Sequence, residues 1–284
     1  MNMTKTKKRI LFFLSTLLCI SCISCICLYR SYNINPDKIE IQYKNIKNEN
    51  IPEDLKHKSI AFFSDFQYGE FQNQKRSDSF FSKLNHLNPD LVLFGGDLIE
   101  ASFTPSDQDI QYLIDSLCNI QAPLGKFAVL GEQDITTPER KQLIERIYKE
   151  SEIEILSNSS HPVSNQSAET MQIIGLSLEP NWNQALATVK KDEFCLLLTH
   201  APDLFLSPEL SRIQVDYALA GHSHGTQISF PIYGGYKTIS HAEEMNRSNS
   251  KKVPFKYHIT SGVGCTHLNI RFNANPEIVC LLLN

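Results

Sequence analysis

The sequence has no surplus of positive charge: 27 Lys and Arg face 31 Asp and Glu, giving a formal net charge of −4 and a pI near 6.1. That balance removes any electrostatic reason to expect nucleic acid as a partner. A site for a phosphorylated ligand must then draw its positive charge locally, from metal ions or a few basic side chains. A disulfide framework is missing too. Four of the eight cysteines, Cys19, Cys22, Cys25 and Cys27, fall inside one apolar segment and fill apolar positions there. Cys118, Cys195, Cys265 and Cys280 are scattered without metal-ligand spacing, and Cys195 and Cys280 lie in strand-like runs as buried free thiols. The composition, 42% hydrophobic and 20% charged, excludes a disordered chain, and 284 residues suffice for one sizeable α/β domain or two small ones.

The N-terminal apolar run is not followed by a convincing A-x-A cleavage site. Lys5, Lys7, Lys8 and Arg9 precede Ile10 to Leu28, a stretch without charge that is long for a signal-peptide core and about right for one bilayer span. We read residues 1–30 as an uncleaved membrane anchor, 31–37 as a tether and 38–284 as the domain, with a cleaved signal as the alternative. Ser24-Cys25 resembles a lipobox only weakly. The basic flank should stay cytoplasmic, which places the domain outside.

Within the domain, Lys38 to Tyr43 alternates like a first strand. Apolar runs of strand length follow at Ile60–Phe63, Leu91–Phe94, Phe127–Leu130, Phe194–Leu198 and Tyr217–Ala220. Helical spacing lies between them: Phe80, Phe81, Leu84 and Leu87 mark one helix. A Ser106-x-x-Asp109 capping box opens a second, and Thr137-Pro138 opens a third. Strands alternating with helices imply a layered α/β core. The five runs end as "FFSDFQ", "LFGGDLIE", "VLGEQD", "LLLTH" and "ALAGHSH". In open α/β sheets ligands bind beyond the carboxyl ends of the strands. Five such ends on one edge would gather Asp65, Gln67, Asp97, Glu132, His200, His222 and His224. Hard oxygen donors mixed with imidazoles suit Mn²⁺, Zn²⁺ or Fe²⁺. His86, His161 and His241 have no acid or His beside them in the sequence and are read as loop or surface residues.

In order and spacing, Asp65-x-Gln67, Gly96-Asp97-x-x-Glu100, Gly131-Glu132-Gln133-Asp134, His200 and Gly221-His222-Ser223-His224-Gly225 resemble the motifs of the calcineurin-like metallophosphoesterases. The likeness runs from about Lys38 to the C-terminus. "PDLVLFGGDL" and "GHSHGTQISFPIYG" look especially like a membrane-associated bacterial branch, some members of which cleave UDP-2,3-diacylglucosamine in lipid A synthesis. The resemblance implies a β-sandwich core flanked by helices and two divalent ions, Mn²⁺ by preference. Asp97 would bridge them, with Asp65, Gln67 and His224 on one ion and Glu132, His200 and His222 on the other. It places Gln133 and Asp134 as catalytic residues and implies hydrolysis of a small-molecule or lipid-linked phosphorylated substrate by water.

Three positions depart from the family pattern. Gln67 and Gln133 replace histidines, and Glu132 replaces an asparagine. An amide oxygen at Gln67 can still ligate, and Glu132 adds a charge that helps retain dications. Gln133 cannot donate a proton to a leaving group, a loss worth about 10²–10⁴-fold when the leaving group is an alkoxide. A phosphate leaving from a pyrophosphate bond, with a second pKa of about 6, departs as an anion without that help. The reading is therefore a membrane-tethered phosphohydrolase of an activated phosphodiester or pyrophosphate. The alternative is a non-catalytic relative that binds a ligand through the same cleft. An acylated substrate fits the anchor, yet that lipid precursor is made in the cytoplasm while the basic flank puts the domain outside. Substrate identity should reside in Lys237 to Phe255, and nothing in the sequence sets the oligomeric state.

Overall fold

The apolar runs become strands of two stacked sheets in a computed structural model that describes residues 4–187, 189–190, 192–246 and 249–284. In chain order the strands are β1 (Glu40–Ile46), β2 (Ser59–Phe63), β3 (Leu91–Phe94), β4 (Lys126–Ala128), β5 (Glu154–Ile155), β6 (Ser159–Val163) and β7 (Met171–Leu176). They continue as β8 (Cys195–Thr199), β9 (Tyr217–Ala220), β10 (Ser229–Phe230), β11 (Gly234–Gly235), β12 (Lys256–Ile259) and β13 (Glu277–Leu283). One sheet has the order β1-β13-β2-β3-β4-β5, the other β12-β9-β8-β7-β6, and β10–β11 form a separate hairpin. β2, β3 and β4 pair in parallel, as do β8 and β9, whereas β13 runs antiparallel to β2.

Period-two alternation explains the stacking. Ile60, Phe62, Leu91 and Leu93 meet Leu196, Leu198, Tyr217 and Leu219 in the layer between the sheets. Their alternates Ala61, Phe63, Val92 and Phe94 face the opposite way, into the core shared with the helices. Strands apolar on both faces read as continuous runs, because each face has its own cover. The β-sandwich that the resemblance implied is thus observed, and the five strand ends belong to its two sheets rather than to one edge, since the inner faces of β2 and β3 need a second sheet against them. Two boundaries also shift. β4 ends at Ala128, so Val129 and Leu130 lie beyond it, and the first strand is Glu40–Ile46 rather than Lys38–Tyr43.

The helices follow their sequence signals. α1 spans Lys5–Asn33, α2 spans Gln74–Leu87, α3 spans Asp107–Cys118, α4 spans Pro138–Glu150 and α5 spans Trp182–Leu186. The Ser106–Asp109 capping box is formed at α3, and Thr137 caps α4 ahead of Pro138. α1 is long and apolar enough to cross a membrane, and Ser31 is its buried residue among those described. The segment 31–37, expected as a tether, is helical to Asn33 and then forms a 3₁₀ turn at Asn35–Asp37. It is fastened to the domain. Arg271 N donates to Ser31 O at 2.9 Å, Asn35 Nδ2 donates to Arg271 O at 2.9 Å, and Arg76 pairs with Asp37 at 2.5 Å.

Candidate metal centre

The carboxyl ends of β2, β3 and β4 in one sheet and of β8 and β9 in the other deliver the candidate residues to one cleft. Their approach is close enough to demand glycine at two places. A Cβ on Gly221 would meet Ser64 Oγ at 1.9 Å, and one on Gly131 would meet Asp97 Oδ1 at 2.1 Å. The loops turn sharply there. Asp65 (φ 53), Gln67 (φ 55), Asp97 (φ 60), His222 (φ 65) and His224 (φ 48) all hold the left-handed conformation that non-glycine residues rarely adopt. Strain of this kind persists only where surrounding structure enforces it, and it concentrates at functional sites.

The half nearest the second sheet is buried and closely spaced. Ligand-capable atoms of Asp97, His200 and His222 lie within 4.8 Å of one another. His200 Nε2 is 3.5 Å from Asp97 Oδ2 and 3.0 Å from His222 Nδ1. The other nitrogen of each ring is already committed: His200 Nδ1 donates to Gly95 O and His222 Nε2 donates to Ser240 O, both at 2.6 Å. The remaining nitrogen of each ring therefore points to one spot beside a carboxylate, a spot that attracts positive charge. Imidazoles oriented by backbone carbonyls are how metal-bound histidines are usually held. Without a metal, a proton on His200 Nε2 occupies that spot and a cation would displace it. Burial opposes the charged form of His200, but the Asp97 carboxylate overrides it and raises the imidazole to about 10. Burial would likewise raise Asp97, yet His200 holds it below the usual carboxylate range. His222 is lowered by burial and by His200, which favours the neutral, ligating ring.

The other half is looser. His224 Nε2 lies 3.5 Å from Asp65 Oδ1, and burial pushes its ring down to about 4, so it too is neutral near pH 7. Gln67 Nε2 donates to Asp97 Oδ2 at 3.0 Å, and this leaves its Oε1, the atom able to ligate, buried without a partner. His224 Nδ1 is orphaned in the same way. Buried polar atoms are normally paired, so an orphaned oxygen on the side chain held by Asp97 and an orphaned nitrogen on the ring beside Asp65 leave ligand atoms free for a cation.

At the altered corner, the main chain does most of the structural work. Asp134 accepts from the backbone N–H of Asp97 (2.8 Å), Leu98 (2.9 Å) and Gly131 (2.9 Å). Burial and the Asp97 charge push its carboxyl up to about 7 against those three donors. Gln133 N donates to Asp97 Oδ1 at 2.9 Å, while its side-chain Oε1 accepts from Ala101 N at 2.6 Å. Glu132 is half-exposed on the rim, 3.9 Å from His222 Nε2. His241, read from sequence as a loop residue, stands 3.8 Å from Glu132 at the same rim. No motif marked it, and only the fold brings it there. His86 and His161 lie elsewhere, against Ser82 O and Glu154. Arg271 is fully buried behind Asp65 and Gln67, donating to the carbonyls of Ser261 (2.6 Å), Ala274 (3.0 Å) and Gly264. The cleft above measures about 300 Å³ and includes Asp97, Glu132, Gln133, His222, His224, Tyr236 and Lys237 in its lining.

The sequence profile described as calcineurin-like phosphoesterase matches residues 58–226, which contain all of these strand ends. The chain belongs to that family. Its members are metal-dependent phosphoesterases, so the cation-ready geometry and the family agree at this coarse level. Among relatives, the uncharacterized metallophosphoesterase YkuE of Bacillus subtilis is 27% identical over 257 residues, covering 88% of this chain and 87% of the relative. Phosphodiesterase YaeI of Escherichia coli is 25% identical over 79% of this chain and 81% of its own length. UDP-2,3-diacylglucosamine pyrophosphatase LpxG of Chlamydia muridarum is 27% identical over 56% of this chain and 62% of its own length.

Proposed function

We propose that the cleft is a dimetal phosphohydrolase site, held at a membrane by α1, that cleaves an activated phosphodiester or pyrophosphate bond. The observation that carries this reading is the pair of facing ring nitrogens, His200 Nε2 and His222 Nδ1, 3.0 Å apart beside Asp97, with their other nitrogens bound to carbonyls. Asp97, His200 and His222 would hold one ion; Asp65, Gln67 Oε1 and His224 would join Asp97 around the second. Mn²⁺ suits the mixed oxygen and imidazole set, with Zn²⁺ or Fe²⁺ as the alternatives. Bound divalent ions neutralise the phosphoryl oxygens and lower the pKa of water, charge that a chain of net −4 does not otherwise supply.

The chain's own residues narrow the bond. Gln133 has its amide oxygen tied to Ala101 N, so its NH₂ remains to donate to a phosphoryl oxygen but carries no acidic proton. A leaving group that departs as an anion matches this corner, and a pyrophosphate is such a group. Cleavage of UDP-2,3-diacylglucosamine is the most specific substrate proposal, supported by the name of LpxG and by an acylated substrate's affinity for the bilayer. The basic residues Lys5 to Arg9 favour an external domain, for which an envelope phosphodiester is the substitute.

The same Gln133–Ala101 contact favours a second reading, a ligand-binding relative without turnover. The two separate in one experiment on the purified full chain: metal analysis paired with Mn²⁺-dependent turnover of phosphodiester and pyrophosphate substrates, UDP-2,3-diacylglucosamine included. About two ions per chain and turnover of the pyrophosphate support hydrolysis. Protein without metal or metal-dependent turnover leaves only binding.

A further inference from the structure

Among the described residues, the proposed site leaves unused the β10–β11 hairpin and its exposed tip Pro231-Ile232-Tyr233. Ile232 is fully exposed and Tyr233 is 89% exposed, while Phe230 and Tyr236 flank them half-exposed. Ile232 also holds φ 77. The tight hairpin loop imposes that angle, and a β-branched residue adopts it only rarely. An apolar, strained and solvated loop tip makes no sense as a folding device in water.

Its place beside α1 supplies a reason. Pro231 faces Cys27 and Arg30 across a groove that Phe272 also lines. Phe230 and Phe272 have ring centroids 5.7 Å apart, and Ile228 bridges Phe272. The preceding residue, Arg271, is the one hydrogen-bonded to Ser31 and Asn35 at the end of α1. Hairpin and helix end are thus braced on one short segment. The uncharged run Ile10 to Leu28 rises roughly 28 Å at 1.5 Å per residue, close to the ~30 Å of a bilayer's hydrocarbon core. Its domain-side end falls at Cys27–Arg30, level with Pro231. The tip therefore stands at headgroup depth of any bilayer that α1 crosses, and tyrosine is enriched at that depth. The other end of the hairpin leads into the cleft, because Tyr236 and Lys237, directly after it, line the mouth.

We propose that residues 231–233 are a second membrane contact, inserted at the headgroup–acyl boundary beside α1, and that this contact sets the mouth of the cleft at the bilayer surface. An amphiphilic phosphoester would then meet the cleft at the depth where its headgroup already lies. The partner is a lipid surface; continuity with the uncovered apolar length of α1 selects it over a second copy of the chain. The inference rests on α1 being an anchor, and its test needs no catalysis.

Trp182 is the sole tryptophan, so Trp182→Phe with Ile232→Trp places one indole at the tip. A control carries Trp182→Phe with Glu53→Trp, an exposed position just before β2 and away from the strand ends that form the cleft. Both full-length proteins are reconstituted in phosphatidylethanolamine–phosphatidylglycerol vesicles with and without brominated acyl chains, then floated. The expected result is co-flotation of both, with the tip indole blue-shifted and losing roughly half its emission to bromine, as fits burial by ~5–10 Å. The Glu53→Trp control should be unaffected. A floated protein whose tip indole behaves like the control would overturn the membrane contact and leave the anchor standing. A blue-shifted but unquenched tip that tracks protein concentration would assign the hairpin to a second copy and also overturn it. Absence of flotation would remove the anchor and this proposal together, without touching the hydrolase reading, which turnover decides.

Discussion

The His200–His222 side of the cleft and the Gly131–Asp134 corner receive equally recognisable motifs, yet they are built differently. His200 and His222 are buried, and each ring is fixed by a backbone carbonyl. At the corner the side chains of Glu132 and Gln133 are partly solvated. The fixed parts there are the Gln133 N–H on Asp97 and the Asp134 carboxylate on three backbone N–H groups. For the proposed cation site, the difference explains how the Asn and His that the resemblance expects at positions 132 and 133 can be replaced without dismantling it. What the corner gives to the scaffold comes from its main chain and Asp134, and those are kept. What it has altered is rim chemistry.

That contrast can be broken in several ways. On the ligand side, His222→Ala should remove an ion and lower metal-dependent turnover by at least about 10³-fold, since a metal's charge stabilisation is worth several kcal/mol. Kinetics with paired metal analysis reads this, and a variant with normal metal content and turnover would break the comparison. Behind Asp65 and Gln67, Arg271→Met leaves three carbonyls unpaired in a buried site and should cost about 2–3 kcal/mol in denaturant unfolding. At the corner, Gln133→His should raise turnover of alkoxide-leaving esters by roughly 10–100-fold and of pyrophosphates far less. Equal gains on both would refute the leaving-group argument. The smallest effect belongs to Glu132→Asn. Its carboxylate is half-exposed and 3.9 Å from His222, so Mn²⁺ affinity should change by less than about tenfold, or 1.4 kcal/mol. A larger loss would move Glu132 to the ligand side.

Much of the fold was legible because its signals are local. The runs Ile60–Phe63 and Leu91–Phe94 are strands, and Ser106–Asp109 and Thr137–Pro138 start helices, since periodicity and capping act over a few residues. The split into two sheets was legible only through the family resemblance, which implied a β-sandwich, and not from the runs themselves. Phe62 and Leu198 are far apart in sequence, and no run of apolar residues states which layer will cover it. The candidate site divides similarly. Asp97 and His222 announced themselves at strand ends. His241 did not, because its only reason for being near Glu132 is the return of a long loop, and the tying of Gln133 Oε1 to Ala101 N depends on a turn held by Arg140 on the Glu100, Ala101 and Phe103 carbonyls.

The most direct test of the cation site is anomalous diffraction at the manganese edge from crystals of the protein grown with Mn²⁺. The account predicts two peaks in contact with Asp97, one also reaching His200 and His222 and the other Asp65 and His224. Density at neither position, or manganese bound only at exposed carboxylates away from Asp97, would contradict it.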